Sequence, residues 1–304
     1  MSNVLMLYKF SPHTCANYMA RALVANGHDV RTAGTVASLQ GFVTPYRLWG
    51  PHTYPVGEHE TLDMGRLGDW RPDLILWAEA GGMLGAPMDV LNTGVPTACW
   101  LMDSQNPVKL VWHKRYAPLF DYRFCAQRPW CAELDAAWLP FACDPEIHAP
   151  RVYSEDYDLA WVGGLWLRST LYAKRFETMD KLAQRYKCNF KSGVYFEDMA
   201  DVYGSAKIGW HMSVTGQDLD MRVFEVMCSG RPLVTDYSMD NGQRDMAWDG
   251  WEYDGQDEMF GILEEVLFDS ERRAQVGRAG REYALSHHTY QHRARQLMRV
   301  VGLE

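Results

Sequence analysis

Residues 217–236 read QDLDMRVFEVMCSGRPLVTD, and their charges are spaced for holding an anion and a diol. Asp218 or Asp220 can cap a helix that starts there, and Gly230 is where such a helix prefers to stop. The start of that helix would aim backbone N–H groups and a partial positive charge at a bound anion, which suits a diphosphate. Glu225 lies nearly two turns in, inside an otherwise apolar run. A carboxylate accepts two hydroxyl protons at once, so a vicinal diol such as ribose is its natural partner. Arg222, three residues earlier, is close enough to pair with Glu225 or to meet a phosphate.

Other candidates sit where strands end. His13, in SPHT, follows the first strand and precedes the first helix, while Asp103 closes ACWLMD at the same sheet edge. Either could take a proton from an attacking hydroxyl; a turn histidine and a helix cap are the plain alternatives. Glu79, in WAEAGG, ends another strand and could touch an acceptor. So could His113, within the basic and aromatic patch KLVWHKRYAPLFDYR, although a solvated loop and helix face is the simpler reading of that patch. His288 and His292 are four apart, as zinc ligands can be. No cysteine or carboxylate with ligand spacing flanks them, and no metal site is expected.

These residues need elements to hold them. NVLMLYKF reads as a strand, CANYMARALVANG as a helix with apolar residues three and four apart, and HDVRTAG as a second strand. That is a βαβ unit and hence a parallel sheet. PDLILWAEA, GVPTACWLMDS, DYRFCA and the start of AAWLPFACDPEIHAP continue the strands, whereas residues 40–70, rich in Pro, Gly and His, read mostly as loop. After a Pro-rich connector near residue 150 the alternation restarts with DYDLAWVGGLWLR, and the last fifty residues read as helical. The economical fold is α/β: two Rossmann-like, doubly wound domains facing a cleft, with ligands at the carboxyl ends of the strands. The expected division is residues 1–150, residues 151–285, and a terminal helix over 286–304 packing back towards the first domain.

Bulk properties exclude several classes. The net charge of −9 is shared, with 11 Lys and Arg against 14 Asp and Glu in residues 1–150 and 19 against 25 in the rest. Such a chain does not bind nucleic acid through bulk electrostatics. Seven scattered cysteines form no CxxC pair and read as buried free thiols in a reducing compartment. The N-terminus lacks the pattern of a signal peptide, and no apolar run is long enough to span a membrane. A cytoplasmic protein is expected, and no basic amphipathic helix for a membrane surface is legible in the first half.

The stretch DMRVFEVMCSGRPLVTD resembles the donor-binding segment of GT-B glycosyltransferases, in particular the spore-maturation-type proteins related to retaining glycosyltransferase family 4. DLAWVGGLWLRS, DMADVYGSAKIGWHMS, WLPFACDP and HHTYQHRARQLM are similar to that family's flanking segments. The resemblance covers roughly residues 136–298, with weaker agreement in 3–35 and 95–104. It implies transfer of a sugar from a nucleotide-diphosphate sugar, a co-substrate rather than a cofactor, to a hydroxyl acceptor. That acceptor would be a soluble glycan, protein or metabolite, or a hydroxymethylated pyrimidine in phage-type DNA. Glu225 would bind the ribose, and Arg168, after VGGLWL, would meet the diphosphate. Gly163, Gly164, Asp218, Arg222, Val223 and Phe224 would complete the donor site. The second domain would hold the donor and the first the acceptor, with Arg168 and His13 or Asp103 as the catalytic groups. The family has a second glutamate eight positions before the ribose-binding one; here position 217 is Gln. The triplet Asp218-Leu219-Asp220 matches the metal-binding DxD of the other glycosyltransferase fold, but here it opens a helix, and a metal-independent reaction is implied. The alternative is a non-catalytic, two-lobed protein that binds or senses nucleotide sugars.

Overall fold

The computed structural model describes residues 1–11, 14–35, 52–56, 62–78, 91–151, 154–164, 170–215, 219–236 and 250–304. The chain divides into two compact units, one of Met1–Pro140 with Tyr290–Glu304 and one of Phe141–Thr289.

The first unit is built on seven parallel strands in the order β3-β2-β1-β4-β5-β6-β7. They are β1 (Asn3–Leu7), β2 (Asp29–Thr35), β3 (His52–Val56), β4 (Leu74–Ala78), β5 (Thr97–Leu101), β6 (Tyr122–Cys125) and β7 (Ala137–Trp138). β4 and β5 are buried along their whole length, as parallel strands covered on both faces must be. Val4 stands between Val30 and Leu74 in register. Helix α1 (Ala16–Ala25) links β1 to β2 and is followed by Gly27 at φ +88°, a left-handed stop that glycine adopts without strain. Strand order reverses between β1 and β4, which marks the carboxyl ends of those strands as this unit's natural ligand position.

Residues 40–70 are thus not all loop, for β3 is a parallel edge strand beside β2. Pro55 hid it from the sequence, since proline lacks a ladder N–H and is tolerated only at such an edge. Helix α2 (Pro107–Tyr116) follows β5, capped by Asn106, whose side chain accepts from the N–H groups of Val108 and Lys109. It buries only His113 and leaves Val108, Val111 and Trp112 exposed among basic residues, with apolar and basic positions interleaved rather than divided between faces.

The second unit has five parallel strands in the order β12-β11-β10-β8-β9: β8 (Tyr157–Val162), β9 (Cys188–Lys191), β10 (Ala206–Trp210), β11 (Leu233–Asp236) and β12 (Trp251–Tyr253). Counted from β8 this is 2-1-3-4-5, with the reversal between β8 and β10. Its helices are α3 (Ala173–Arg185), α4 (Glu197–Gly204), α5 (Met221–Cys228), α6 (Gln256–Phe268) and α7 (Ser270–His287). β12, only three residues long, lies just before the last fifty residues, which are helical as the sequence reads. Leu159, Trp161, Ile208, Trp210 and Val234 alternate into a core closed by Met259 and Leu263 of α6.

The last helix, α8 (Tyr290–Val300), belongs to the first unit. It lies along α1, its Gln291 carbonyl accepting from Asn26 Nδ2, and Arg293 Nε donates to the Pro140 carbonyl. Among the described residues no helix is long and apolar enough to cross a membrane, and no cluster of three His, Cys, Asp or Glu could hold a metal ion.

Candidate functional site

The second unit's reversal point is lined by ionisable groups from four elements. Asp220 is the N-cap of α5: its Oδ1 accepts from the Arg222 N–H at 2.9 Å. Its Oδ2 bonds the Arg222 guanidinium and lies 2.9 Å from His211 Nε2 and 3.8 Å from Arg175 Nη2. Burial alone would raise this carboxyl, yet the charges of Arg222, His211 and Arg175 hold it well below the usual carboxylate range. It stays ionised. His211 follows β10 and links this cluster to the end of β11, with Nδ1 2.7 Å from Thr235 Oγ1 and 3.6 Å from Asp236 Oδ1. Asp236 also accepts from the backbone N–H and hydroxyl of Ser213.

Arg222 reaches under the end of β8, where its Nε donates to the Val162 carbonyl at 2.6 Å. Gly163 follows, and a Cβ there would lie 2.5 Å from Trp161 Cζ2 and 2.7 Å from Arg222 Nη2. Only glycine lets the backbone pass so close to the ring and the guanidinium. Trp161 lies within cation–π range of both arginines, at 5.3 Å from Arg222 and 5.8 Å from Arg175.

Glu225 is 2% exposed: a helix that packs Val223, Phe224 and Val226 into the core turns Glu225 inward with them. Burial raises its carboxyl to about 7, and the charge of Asp220 adds to this, against Arg222 and the Tyr203 hydroxyl. Its Oε1 lies 3.7 Å from His148 Nε2. Val223 and Phe224 are buried core residues, with Phe224 against the His288 ring at 5.1 Å, so their side chains support α5 instead of facing a ligand. Gly163, Gly164, Arg222 and Glu225 are thus gathered in one unit. Arg168 and Asp218 lie outside the described residues.

Sequence reasoning missed Arg175, Asp236 and His148. One signal was present: Arg175, Thr178, Met179 and Leu182 fall three and four apart along α3, so an arginine occupies that helix's buried stripe.

In the first unit, Asp103 follows β5 with φ +59°, a left-handed conformation uncommon outside glycine. Its Oδ2 accepts from Lys109 Nζ at 2.5 Å, and its side chain is 45% exposed. The cap of α2 is Asn106, so Asp103 is not spent on that helix. His113 does not face outward as the sequence suggested: it is 1% exposed, with Nδ1 3.0 Å from Ser104 Oγ, and burial pushes its ring down to about 4. The helix turns it inward because Val108, Val111 and Trp112 take the outer face. His13 and Glu79 lie outside the described residues.

Residues 153–299 match a family described as glycosyl transferase-like. Among curated proteins no sequence matches the chain. Three solved structures share its fold from end to end. HepE of Anabaena, solved with UDP and glucose, is 10% identical over 99% of this chain and 100% of that one, with a TM-score of 0.69. Sucrose-phosphate synthase from Thermosynechococcus elongatus is 12% identical over 99% and 98%, with a TM-score of 0.68. An alpha-glucosyltransferase in complex with UDP-glucose and DNA containing an abasic site is 9% identical over 99% and 99%, with a TM-score of 0.67. The chain has the GT-B fold of two Rossmann-like α/β units, and its residues 153–299 match the glycosyl transferase-like family.

Proposed function

We propose that the protein transfers a sugar from a nucleotide-diphosphate sugar to a hydroxyl acceptor, with the donor held by the second unit and the acceptor by the first. The observation that carries this reading is Glu225, a buried acid on the helix at the reversal point, inside the segment that matches the family. A carboxyl buried this deep is costly unless polar groups meet it, and a ribose diol is a partner its two oxygens suit. Arg168 is assigned to the diphosphate, where a planar guanidinium meets paired oxygens. With its guanidinium on Asp220 and Val162, Arg222 is assigned a bracing role beneath the Gly163–Gly164 turn. The spore-maturation-type branch of the family is the proposed affiliation.

Stabilisation of the leaving diphosphate is assigned to Arg168 and the start of α5, without a metal. Supporting this, Asp220, the last acid of the Asp-Leu-Asp triplet, is engaged by the α5 cap, Arg222 and His211. Asp103 is the proposed base if the reaction inverts the sugar, with His13 as the second candidate and Glu79 as an acceptor contact. A soluble glycan, protein or metabolite is the preferred acceptor. DNA is disfavoured because three of the basic patch's four Lys and Arg are ion-paired: Lys109 with Asp103, Lys114 with Glu133 and Arg123 with Asp135. The seven scattered cysteines, five of them buried, fit a reducing, cytoplasmic setting.

Titration with nucleoside diphosphates and a transfer assay with a labelled-donor panel test the proposal, with hydroxymethylated and plain DNA among the acceptors. Glu225→Ala is expected to weaken nucleotide binding by about 10- to 100-fold, and Arg168→Ala to lower turnover by about 100- to 1,000-fold. Unchanged constants in both variants would refute the site. Binding without transfer or hydrolysis of any donor would favour the sensing protein.

A further inference from the structure

The connector after β7 ends in a turn that is stiff for its length. Asp144 Oδ1 accepts from the backbone N–H groups of Glu146 and Ile147, at 3.0 and 3.4 Å, and its carbonyl accepts from the His148 N–H at 2.9 Å. The loop then closes on itself, for the Asp144 N–H donates to His148 Nδ1 at 3.0 Å. Side chain and backbone of the turn thus fix where the imidazole points.

That last bond also fixes the tautomer. A backbone N–H can only donate, so Nδ1 carries a lone pair, and a neutral ring must hold its proton on Nε2. The ring is neutral because it is wholly buried, which pushes it down to about 4. The Nε2–H therefore lies on the side of Glu225, whose Oε1 is 3.7 Å away. This is longer than a hydrogen bond by about 0.5 Å, a gap that a small rotation of either side chain closes. A stiff turn has delivered one N–H to a buried carboxylate from 77 residues away in sequence.

We propose that His148 is a positioning residue: its Nε2–H orients Glu225 so that the carboxylate receives both hydroxyls of a ribose, which makes the site selective for ribonucleoside over 2′-deoxyribonucleoside diphosphates. This rests on Glu225 as the ribose-binding acid, the reading given above. A carboxylate free to rotate would bind a single 3′-hydroxyl almost as well as a diol. One held by His148 presents two acceptors at fixed spacing, and a sugar lacking the 2′-hydroxyl leaves one of them buried and unmet.

Calorimetric titration of the full chain with UDP, GDP and ADP, each beside its 2′-deoxy counterpart, tests this. The wild type is expected to prefer the ribo form of the nucleotide it binds by about tenfold or more. His148→Phe should reduce that preference severalfold while leaving deoxy affinity in place, and His148→Gln, which keeps a donor, should restore part of it. His148→Phe added to Glu225→Gln should cost no further selectivity. Equal weakening of ribo and deoxy forms in both His148 variants would show a merely structural histidine. An intact preference in both, with Glu225→Gln abolishing it, would overturn the proposal and leave the ribose reading standing. No binding to the wild type by any nucleotide, or full selectivity in Glu225→Gln, would overturn the ribose reading and this proposal with it.

Discussion

The two units arrange charged groups at the ends of their strands differently. In the second, Arg175, His211, Asp220, Arg222 and Asp236 come from α3, the strand ends and α5, and lock one another in place. Every one of them is largely buried. In the first, the chemistry beside β5 is local and open: Asp103 and Lys109 are six residues apart, 45% and 25% exposed, and pair with each other, and Asp103 also accepts from the neighbouring Gln105. A nucleotide diphosphate is an invariant object that rewards a preassembled, desolvated cradle. Acceptors vary, and a loop carrying its own ion pair can be altered without disturbing a core.

The contrast is sharpest in Asp220→Asn. It strips two arginines of their buried counter-charge and should cost about 3–5 kcal/mol of stability, read from denaturant midpoints; a loss near zero would break the picture of a preassembled cluster. Glu225→Gln should act oppositely. The folded carboxyl, raised to about 7, keeps a proton that the unfolded chain sheds from about 4.5 upward, so wild-type stability falls as pH rises across that window. The variant has no such loss. At pH 8 it should be more stable than wild type by about 3 kcal/mol, with the gap closing below pH 4.5, even as nucleotide binding suffers. Asp103→Asn should lower turnover about 100-fold while leaving nucleotide affinity and melting temperature near wild type. An equal loss of affinity would place Asp103 in the donor site instead. Smallest of all, Trp112→Ser, on the exposed face of α2, should change stability by less than about 0.5 kcal/mol.

Much of this was legible from residue order. The βαβ alternation, the Gly27 and Gly230 stops, the α5 cap and the oddity of a carboxylate in an apolar run all follow from local rules. What was hidden is what topology alone assembles. Arg175, His211 and Asp220 are separated by up to 45 positions and meet only because β8 and β10 are neighbours in the sheet. His148 looked like one more residue of a Pro-rich connector until its turn was seen to close. His113 misled for the opposite reason: its sequence neighbours are basic and aromatic, but α2 buries that one position.

The return of α8 to the first unit has a consequence for how the chain is made. A ribosome that has released residues up to 289 has finished the second unit, while the first still lacks the helix bearing buried Tyr290, Ala294, Leu297 and Met298. The earlier-synthesised half must therefore wait, part of its apolar surface uncovered, for a segment translated after the later half is complete.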